Sequence, residues 1–145
     1  ELYSNKNRFI NSRLEKNLAP NYLYRFAVDS DIFNLYRIRL GIPGMRGAIH
    51  ADELSYLFYL ILSFKLEKNS YEFKTIERIM DIWTTFAAKS DPNCESTKAV
   101  KWQPVEKNGS RMCLNIAEEL NYIEMPESKK LAVWDQLLRE VKIVV

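Results

Sequence analysis

The sequence of 145 residues has little cysteine, histidine or glycine: two, one and four residues respectively. Cys94 and Cys113 are too few for a disulfide framework, and no CxxC or Cys/His cluster predicts a zinc site. We expect two reduced thiols, with a single disulfide as the open alternative. No motif calls for a metal or an organic cofactor, so none is expected. This cysteine usage favours an intracellular protein slightly and leaves secretion open.

Charge of one sign and long apolar runs are also lacking. The 21 Lys and Arg residues nearly balance 19 Asp and Glu residues, which is too small an excess to predict binding to nucleic acid or to an anionic membrane. The longest apolar stretch, residues 54–64, contains serines and tyrosines and is shorter than the roughly 20 residues of a membrane-spanning helix. We therefore expect no nucleic-acid partner and no transmembrane segment.

The residues that are present favour a globular α/β protein. Hydrophobic residues make up 47% of the chain, enough for one domain with a core. Helical and extended patterns alternate. Helices are predicted over residues 4–17, 70–89 and 128–142, and strands over 22–28 (mostly buried), 112–116 and 121–125. Residues 41–47 are predicted to form a glycine-rich loop. The stretch before it, residues 32–40, is short and ambiguous between helix and strand. With no linker visible, residues 1–145 are predicted to be one segment without an internal boundary.

Residues 70–89 carry the clearest helical pattern. Ser70 is a suitable N-cap, and Trp83 is predicted to be a buried anchor against the sheet. The predicted apolar face consists of Phe73, Ile76, Ile79, Met80, Trp83, Phe86 and Ala87. The corresponding face of the last helix consists of Leu131, Trp134, Leu137, Leu138 and Val141.

Several sequence blocks occur together in a recognisable order. They are YLYRF at 22–26, GAIHADELSYLF at 47–58, MDIWTTFA at 80–87 followed by DPN at 91–93, W-x-P at 102–104 and LNI at 114–116. In this order they resemble the C-terminal part of the type-B carboxylesterases, the cholinesterase-like branch of the α/β-hydrolases, and especially the insect α-esterases. The resemblance implies an α/β-hydrolase fold of which this chain is the C-terminal portion, incomplete on its own.

His50, the sole histidine, lies in the block that is similar to the family's histidine motif. The resemblance implies that His50 is the catalytic base, because the triad order in this fold is serine, acid and then histidine. An imidazole can take the proton of a serine hydroxyl and return it to the leaving alcohol. The alternative is a histidine that merely packs in the core or lies on the surface.

Two further residues are candidates for the site. Glu53 follows His50 by three residues and can face the same region; the resemblance implies active-site support, and the alternative is a carboxylate favoured by the start of a helix. Tyr36 precedes the glycine-rich loop and could line an apolar acyl or alcohol pocket.

Other polar and aromatic residues near this block have structural interpretations. Asp52 is expected to be solvated or to cap a helix, and Tyr56 and Phe58 are expected to pack in the core. Asp29 and Asp31 come just after a predicted strand and in this respect resemble the acid of a catalytic triad. The family places its acid much earlier, however, so they are interpreted as turn or N-cap residues.

A nucleophile motif is missing, since no G-x-S-x-G occurs in the sequence. The chain is therefore predicted to be a piece of an esterase and inactive alone. Its partners would be a small-molecule ester and the remainder of the same polypeptide, which supplies the serine and the acid. An inactive cholinesterase-like binding or adhesion protein is the main alternative; an autonomous helical interaction module is a weaker one. Xenobiotic, lipid and hormone esters are all compatible substrates.

Overall fold

The computed structural model describes residues 2–16, 18–41, 44–58, 65–107, 110–126, 132–133 and 136–137. Its elements are helix α1 (Leu2–Glu15), strand β1 (Tyr24–Phe26), helices α2 (Leu35–Arg39), α3 (Leu54–Leu57) and α4 (Tyr71–Lys89), a 3₁₀ turn (Glu95–Thr97), and strands β2 (Met112–Ile116) and β3 (Leu120–Glu124). The predicted long helix and the two later strands are confirmed to within one residue at each end. The ambiguous stretch before the glycine-rich loop contains the short helix α2.

The chain forms two compact units. One comprises Glu1–Leu23, Gln103–Cys113 and Ile123–Val145, and the other comprises Tyr24–Trp102 and Leu114–Tyr122. His50, Glu53 and Tyr36 all belong to the second unit, so this unit positions the candidate site.

The first unit has a small apolar core to which Ile10, Val105 and Cys113 contribute. The backbone N–H of Val105 donates to the carbonyl of Asn21 at 2.7 Å and joins two segments that are far apart in the sequence. Cys113 is a free cysteine in the structure, as is Cys94 of the second unit.

The sheet has the order β1-β2-β3, and β1 runs parallel to β2. In this register Tyr24 faces Leu114 and Phe26 faces Ile116. Strand β1 has three residues, fewer than the predicted seven, and its Tyr24 is 38% exposed. The prediction of a longer, mostly buried strand was therefore wrong. One more backbone bond, from Ala27 N–H to Ile116 O at 2.7 Å, follows the strand before the chain leaves the sheet.

Helix α4 begins as the sequence predicts. The Ser70 hydroxyl accepts a hydrogen bond from the Phe73 N–H at 3.1 Å, as an N-cap does. At the other end Ser90 adopts a left-handed conformation with φ of 58°, which ends the helix after Lys89.

The buried face of α4 differs from the predicted one. Its buried residues are Glu72, Thr75, Ile79 and Ile82, whereas Met80 and Phe86 are exposed. Glu72 is buried because its carboxylate accepts a hydrogen bond from the Ser30 hydroxyl at 2.7 Å. Apolar spacing alone could not reveal this polar partner, so the predicted face was rotated around the helix from the observed one.

Trp83 is half-buried, so the prediction of a buried anchor was wrong in degree. Its ring does contact the sheet: it meets Tyr24 of β1 edge to face, with the ring centroids 5.0 Å apart. Ile79 and Ile82, each 1% exposed, are the residues of α4 that lie deepest.

The predicted helix over 128–142 falls largely outside the described residues. Its four described residues, at 132–133 and 136–137, are helical. Leu137 is exposed, so its predicted burial was wrong, while Leu131, Trp134, Leu138 and Val141 lie outside the described part. No helix within the described ranges combines the length and apolarity that a bilayer crossing requires.

Candidate functional site

The loop that carries His50 follows the carboxyl end of β1, beyond a polar turn and α2. We call residues 44–51 the histidine loop. Gly44 and Gly47 have φ values of 73° and 87°, a region that glycine enters without steric cost. These residues allow the chain to reverse and present His50, whose imidazole is exposed in a turn. The carboxyl ends of parallel strands are where open α/β sheets place their ligand sites.

Asp52 is fully buried directly behind the histidine loop. One carboxylate oxygen accepts from the backbone N–H of Arg37 at 3.1 Å, and the other accepts from the N–H of Ile49 at 2.9 Å. Asp52 was expected to be solvated or to cap a helix, and solvation was wrong because two backbone donors replace the water that its charge would otherwise need. The Arg37 N–H lies in the first turn of α2, so Asp52 does cap a helix, one that is distant in the sequence. Asp52 thereby connects α2 to the residue that precedes His50.

The residue after His50 adopts an unusual backbone conformation. Ala51 has φ of 73°, a left-handed value that costs a residue with a Cβ atom about 1–2 kcal/mol. Such a conformation persists only where the surroundings enforce it. The hydrogen bonds from Asp52 N–H to Ile49 O at 3.2 Å and from Leu54 N–H to Ala51 O at 3.0 Å do so here.

Arg37 is the buried centre of an ionic cluster and is 4% exposed. Its guanidinium donates to the Asp29 carboxylate at 2.7 Å and the Asp31 carboxylate at 3.1 Å. It also donates to the carbonyls of Ser30 and Met45, each at 2.7 Å. Arg37 therefore joins the segment after β1 to the histidine loop.

Asp29 and Asp31 serve as partners of arginines. Asp31 begins a turn as expected, but neither residue caps α2, whose N-cap position is Asn34. Arg46 adds a second cation, with Nε 2.9 Å from Asp29 and Nη1 3.3 Å from Asp31. The cluster thus balances two carboxylates with two guanidinium groups at one end of the histidine loop.

The cluster lowers the pKa of Asp29. Burial by itself would raise this pKa, but a hydrogen bond from the Gly47 N–H and the charges of Arg37 and Arg46 outweigh burial. The ionised carboxylate is therefore the form that the fold stabilises.

This shift predicts a pH dependence of stability. Because the folded-state pKa of Asp29 lies below its unfolded value, its contribution is complete above about pH 3.9 and is lost as the pH falls through the folded-state pKa. In acid titrations of the full-length polypeptide, we expect Asp29→Asn to be less stable than wild type at neutral pH and to lose less stability below pH 4. Parallel losses of both proteins over that range would contradict the assignment.

Tyr56 confirms one packing prediction, and Phe58 overturns another. Tyr56 is 2% exposed, its hydroxyl donates to the Asn34 side-chain oxygen at 2.9 Å, and its ring packs against Phe26 and Phe33. Burial raises the pKa of the Tyr56 hydroxyl, so it stays protonated. Phe58 is 62% exposed because α3 ends at Leu57 and Phe58 itself has an extended conformation.

Glu53 occupies the N-cap position of α3 and is half-buried, without a side-chain capping bond. Burial raises the pKa of Tyr24, and the negative charge of Glu53 raises it further. Among the hydrogen bonds of the described residues, none joins Glu53 to His50. Tyr36 is half-buried on α2, beside Arg37.

Among the hydrogen bonds of the described residues, none joins the side chains of Tyr36, Glu53 and His50 to one another, and the link that the structure shows is one between backbone segments. Asp52 connects the helix that carries Tyr36 to the loop that carries His50. Sequence reasoning missed Arg37 as the partner of both acids, although an arginine six residues after Asp31 and eight after Asp29 was an available signal. Within the described ranges, no group of three or more histidine, cysteine or acidic side chains could hold a metal ion.

Solved structures similar to this chain include PNB esterases. Two PNB esterase structures, one of them a thermophilic form, are each 25% identical in sequence and superpose with a TM-score of 0.58. Each similarity covers 80% of this chain and 22% of the PNB esterase chain. The prediction of an α/β-hydrolase fold, present here in part, is confirmed.

Sequence comparison leads to the same family. Esterase B1 of Culex pipiens is 33% identical over 134 residues, which are 90% of this chain and 25% of the mosquito protein. The chain thus spans about a quarter of the length of that relative. A model of the carboxylesterase family matches residues 3–134. The resemblance to the type-B carboxylesterases is therefore confirmed, and the chain belongs to the carboxylesterase family.

Proposed function

We propose that the full-length polypeptide containing this segment hydrolyses carboxylic esters, with His50 as its general base and general acid. The observation that carries this proposal is an exposed imidazole at the end of a loop that buried carboxylate and guanidinium groups fix, in a chain of the carboxylesterase family. A histidine that only filled the core would be buried, and a histidine on an incidental surface would need no such support.

The proposed chemistry proceeds in two halves. His50 takes the proton of a serine hydroxyl while the serine oxygen attacks the ester carbonyl, and it then gives that proton to the leaving alcohol. The resulting acyl-serine is cleaved by water, which His50 deprotonates in the same way before the proton returns to the serine. The serine and the acid of the triad belong to parts of the polypeptide outside these 145 residues.

Glu53 and Tyr36 have supporting roles in the proposal. The half-buried carboxylate of Glu53 lies three residues from His50 and helps to define the electrostatics around the imidazole. Tyr36, half-buried on the helix that Asp52 connects to the histidine loop, lines the acyl or alcohol pocket. The proposal requires no cofactor. Its substrate class is a small carboxylic ester, and residues 1–145 are part of one catalytic domain.

A burst assay with a chromogenic ester tests this function. We expect the full-length polypeptide to release the alcohol in a stoichiometric burst followed by steady turnover, as an acyl-enzyme pathway requires. The 145-residue segment alone is expected to show neither phase, because it contains no G-x-S-x-G nucleophile motif. A folded full-length protein without a burst or turnover on short- and long-chain esters would instead indicate an inactive binding protein of the same family.

A further inference from the structure

Asp52 is buried although its side chain is charged. Its side chain is fully buried, and each of its two carboxylate oxygens accepts a backbone hydrogen bond. The two donors, Arg37 N–H and Ile49 N–H, belong to segments 12 residues apart, one on α2 and one immediately before His50. A buried carboxylate is costly unless it is paired in this manner, so both bonds are needed for this arrangement.

The histidine loop is fixed at a second place as well. Arg37 donates to the carbonyl of Met45 at 2.7 Å, and Arg46 pairs with Asp29 at 2.9 Å. The loop is therefore connected to α2 and to the segment after β1 near its start, whereas Asp52 connects it near its end. His50 lies just beyond the Asp52 contact.

The backbone next to His50 is held in an unusual conformation, to which the Asp52 side chain contributes. Ala51 has a left-handed φ of 73°, an arrangement that a free loop would relax. Asp52 directly follows Ala51 and bonds back to Ile49, so it closes a short ring of chain around His50. Removing the Asp52 carboxylate would leave the backbone bond from Asp52 N–H to Ile49 O at 3.2 Å, but it would free the Ile49 N–H and break the link to α2. The imidazole could then take other positions.

We propose that Asp52 is a positioning residue for His50: it fixes the histidine loop to α2 so that the imidazole stays in line for proton transfer. This inference rests on the proposed function of His50. Asp52 acts through the loop and does not touch the ester. A displacement of a catalytic group by about 1 Å can cost about 10²-fold in rate, so a carboxylate remote from the ester can have a large kinetic effect.

The test compares Asp52→Ala and Asp52→Asn with wild type in the full-length polypeptide, using a chromogenic ester and kcat per folded molecule. For the alanine variant we expect kcat to fall about 10²-fold, with KM within about threefold of wild type. Asparagine keeps one acceptor oxygen but turns an amide N–H toward the other backbone donor. For this isosteric variant we expect an intermediate fall of about tenfold.

Tyr56→Phe is the matched structural control. It removes a buried side-chain hydrogen bond, to Asn34 at 2.9 Å, without touching the histidine loop. We expect lower thermal stability but kcat within about threefold of wild type. If Asp52→Ala does not fold, the kcat of the isosteric variant Asp52→Asn tests the positioning role by itself.

The outcomes separate this inference from the function on which it rests. If Asp52→Asn lowers kcat by less than about threefold, or if its effect appears mainly in KM, the positioning role is wrong. The same conclusion follows if Tyr56→Phe lowers kcat as much as Asp52→Asn does. If His50→Ala keeps its turnover, the proposed function itself fails. A loss of turnover in His50→Ala with normal kcat in both Asp52 variants overturns only the inference.

Discussion

Replacing His50 with alanine in the full-length polypeptide is expected to lower kcat for ester hydrolysis by about 10⁴-fold or more. General acid–base assistance alone is typically worth about 10²–10⁴-fold, and members of a catalytic triad act as a unit, so the loss should reach or exceed the top of that range. The fold should remain intact because the exposed imidazole contributes little to the core. The measurement is the burst and steady-state rate with a chromogenic ester.

Glu53→Gln is the companion variant in the same assay. Since Glu53 is half-buried and has no hydrogen bond to His50 among the described residues, removal of its charge should lower the rate without abolishing it. Thermal melting of both variants shows whether any loss reflects unfolding. A folded His50→Ala protein that turns over ester within tenfold of wild type would mean that the base lies elsewhere.

Replacing Ile79 with alanine is expected to have the largest effect on stability. Ile79 is 1% exposed on the buried face of α4, and truncation of such a side chain leaves a cavity that costs about 2–5 kcal/mol. Denaturant unfolding of the full-length polypeptide measures this as a lower midpoint with an unchanged slope.

Glu77→Ala provides the control on the same helix. Glu77 is exposed and lies two residues from Ile79, about 200° around the helix, so it projects from the opposite side. Its substitution should change the free energy of unfolding by no more than about 0.5 kcal/mol. Equal shifts of the two midpoints would show that the observed buried face of α4 is wrong.

Local patterns in the sequence were sufficient for the elements whose causes are local. The Ser70 cap, the 19 residues of α4 and the strands β2 and β3 follow from capping chemistry and hydrophobic periodicity, which act over a few residues. The glycine-rich loop before His50 was equally readable because glycine marks positive φ. The family blocks added the partial α/β-hydrolase fold and the proposal for His50.

Patterns of hydrophobicity failed where a polar residue is buried by a distant partner. Glu72 lies on the buried face of α4 because Ser30, 42 positions earlier, donates to it. The expected apolar face therefore included Met80 and Phe86, which are exposed. Periodicity ranks residues by their own polarity and carries no information about a partner elsewhere in the chain.

The support of the candidate site was likewise decided by tertiary structure. From the sequence, Asp52 was expected to be solvated or to cap a helix, since a charged residue is solvated by default. Its burial requires the N–H of Arg37, 15 positions earlier, together with the N–H of Ile49. The sequence by itself determined the family and the position of His50 in its motif. Only the folded chain brought together the backbone donors and the arginine that fix the histidine loop, because those contacts join segments that no local pattern connects.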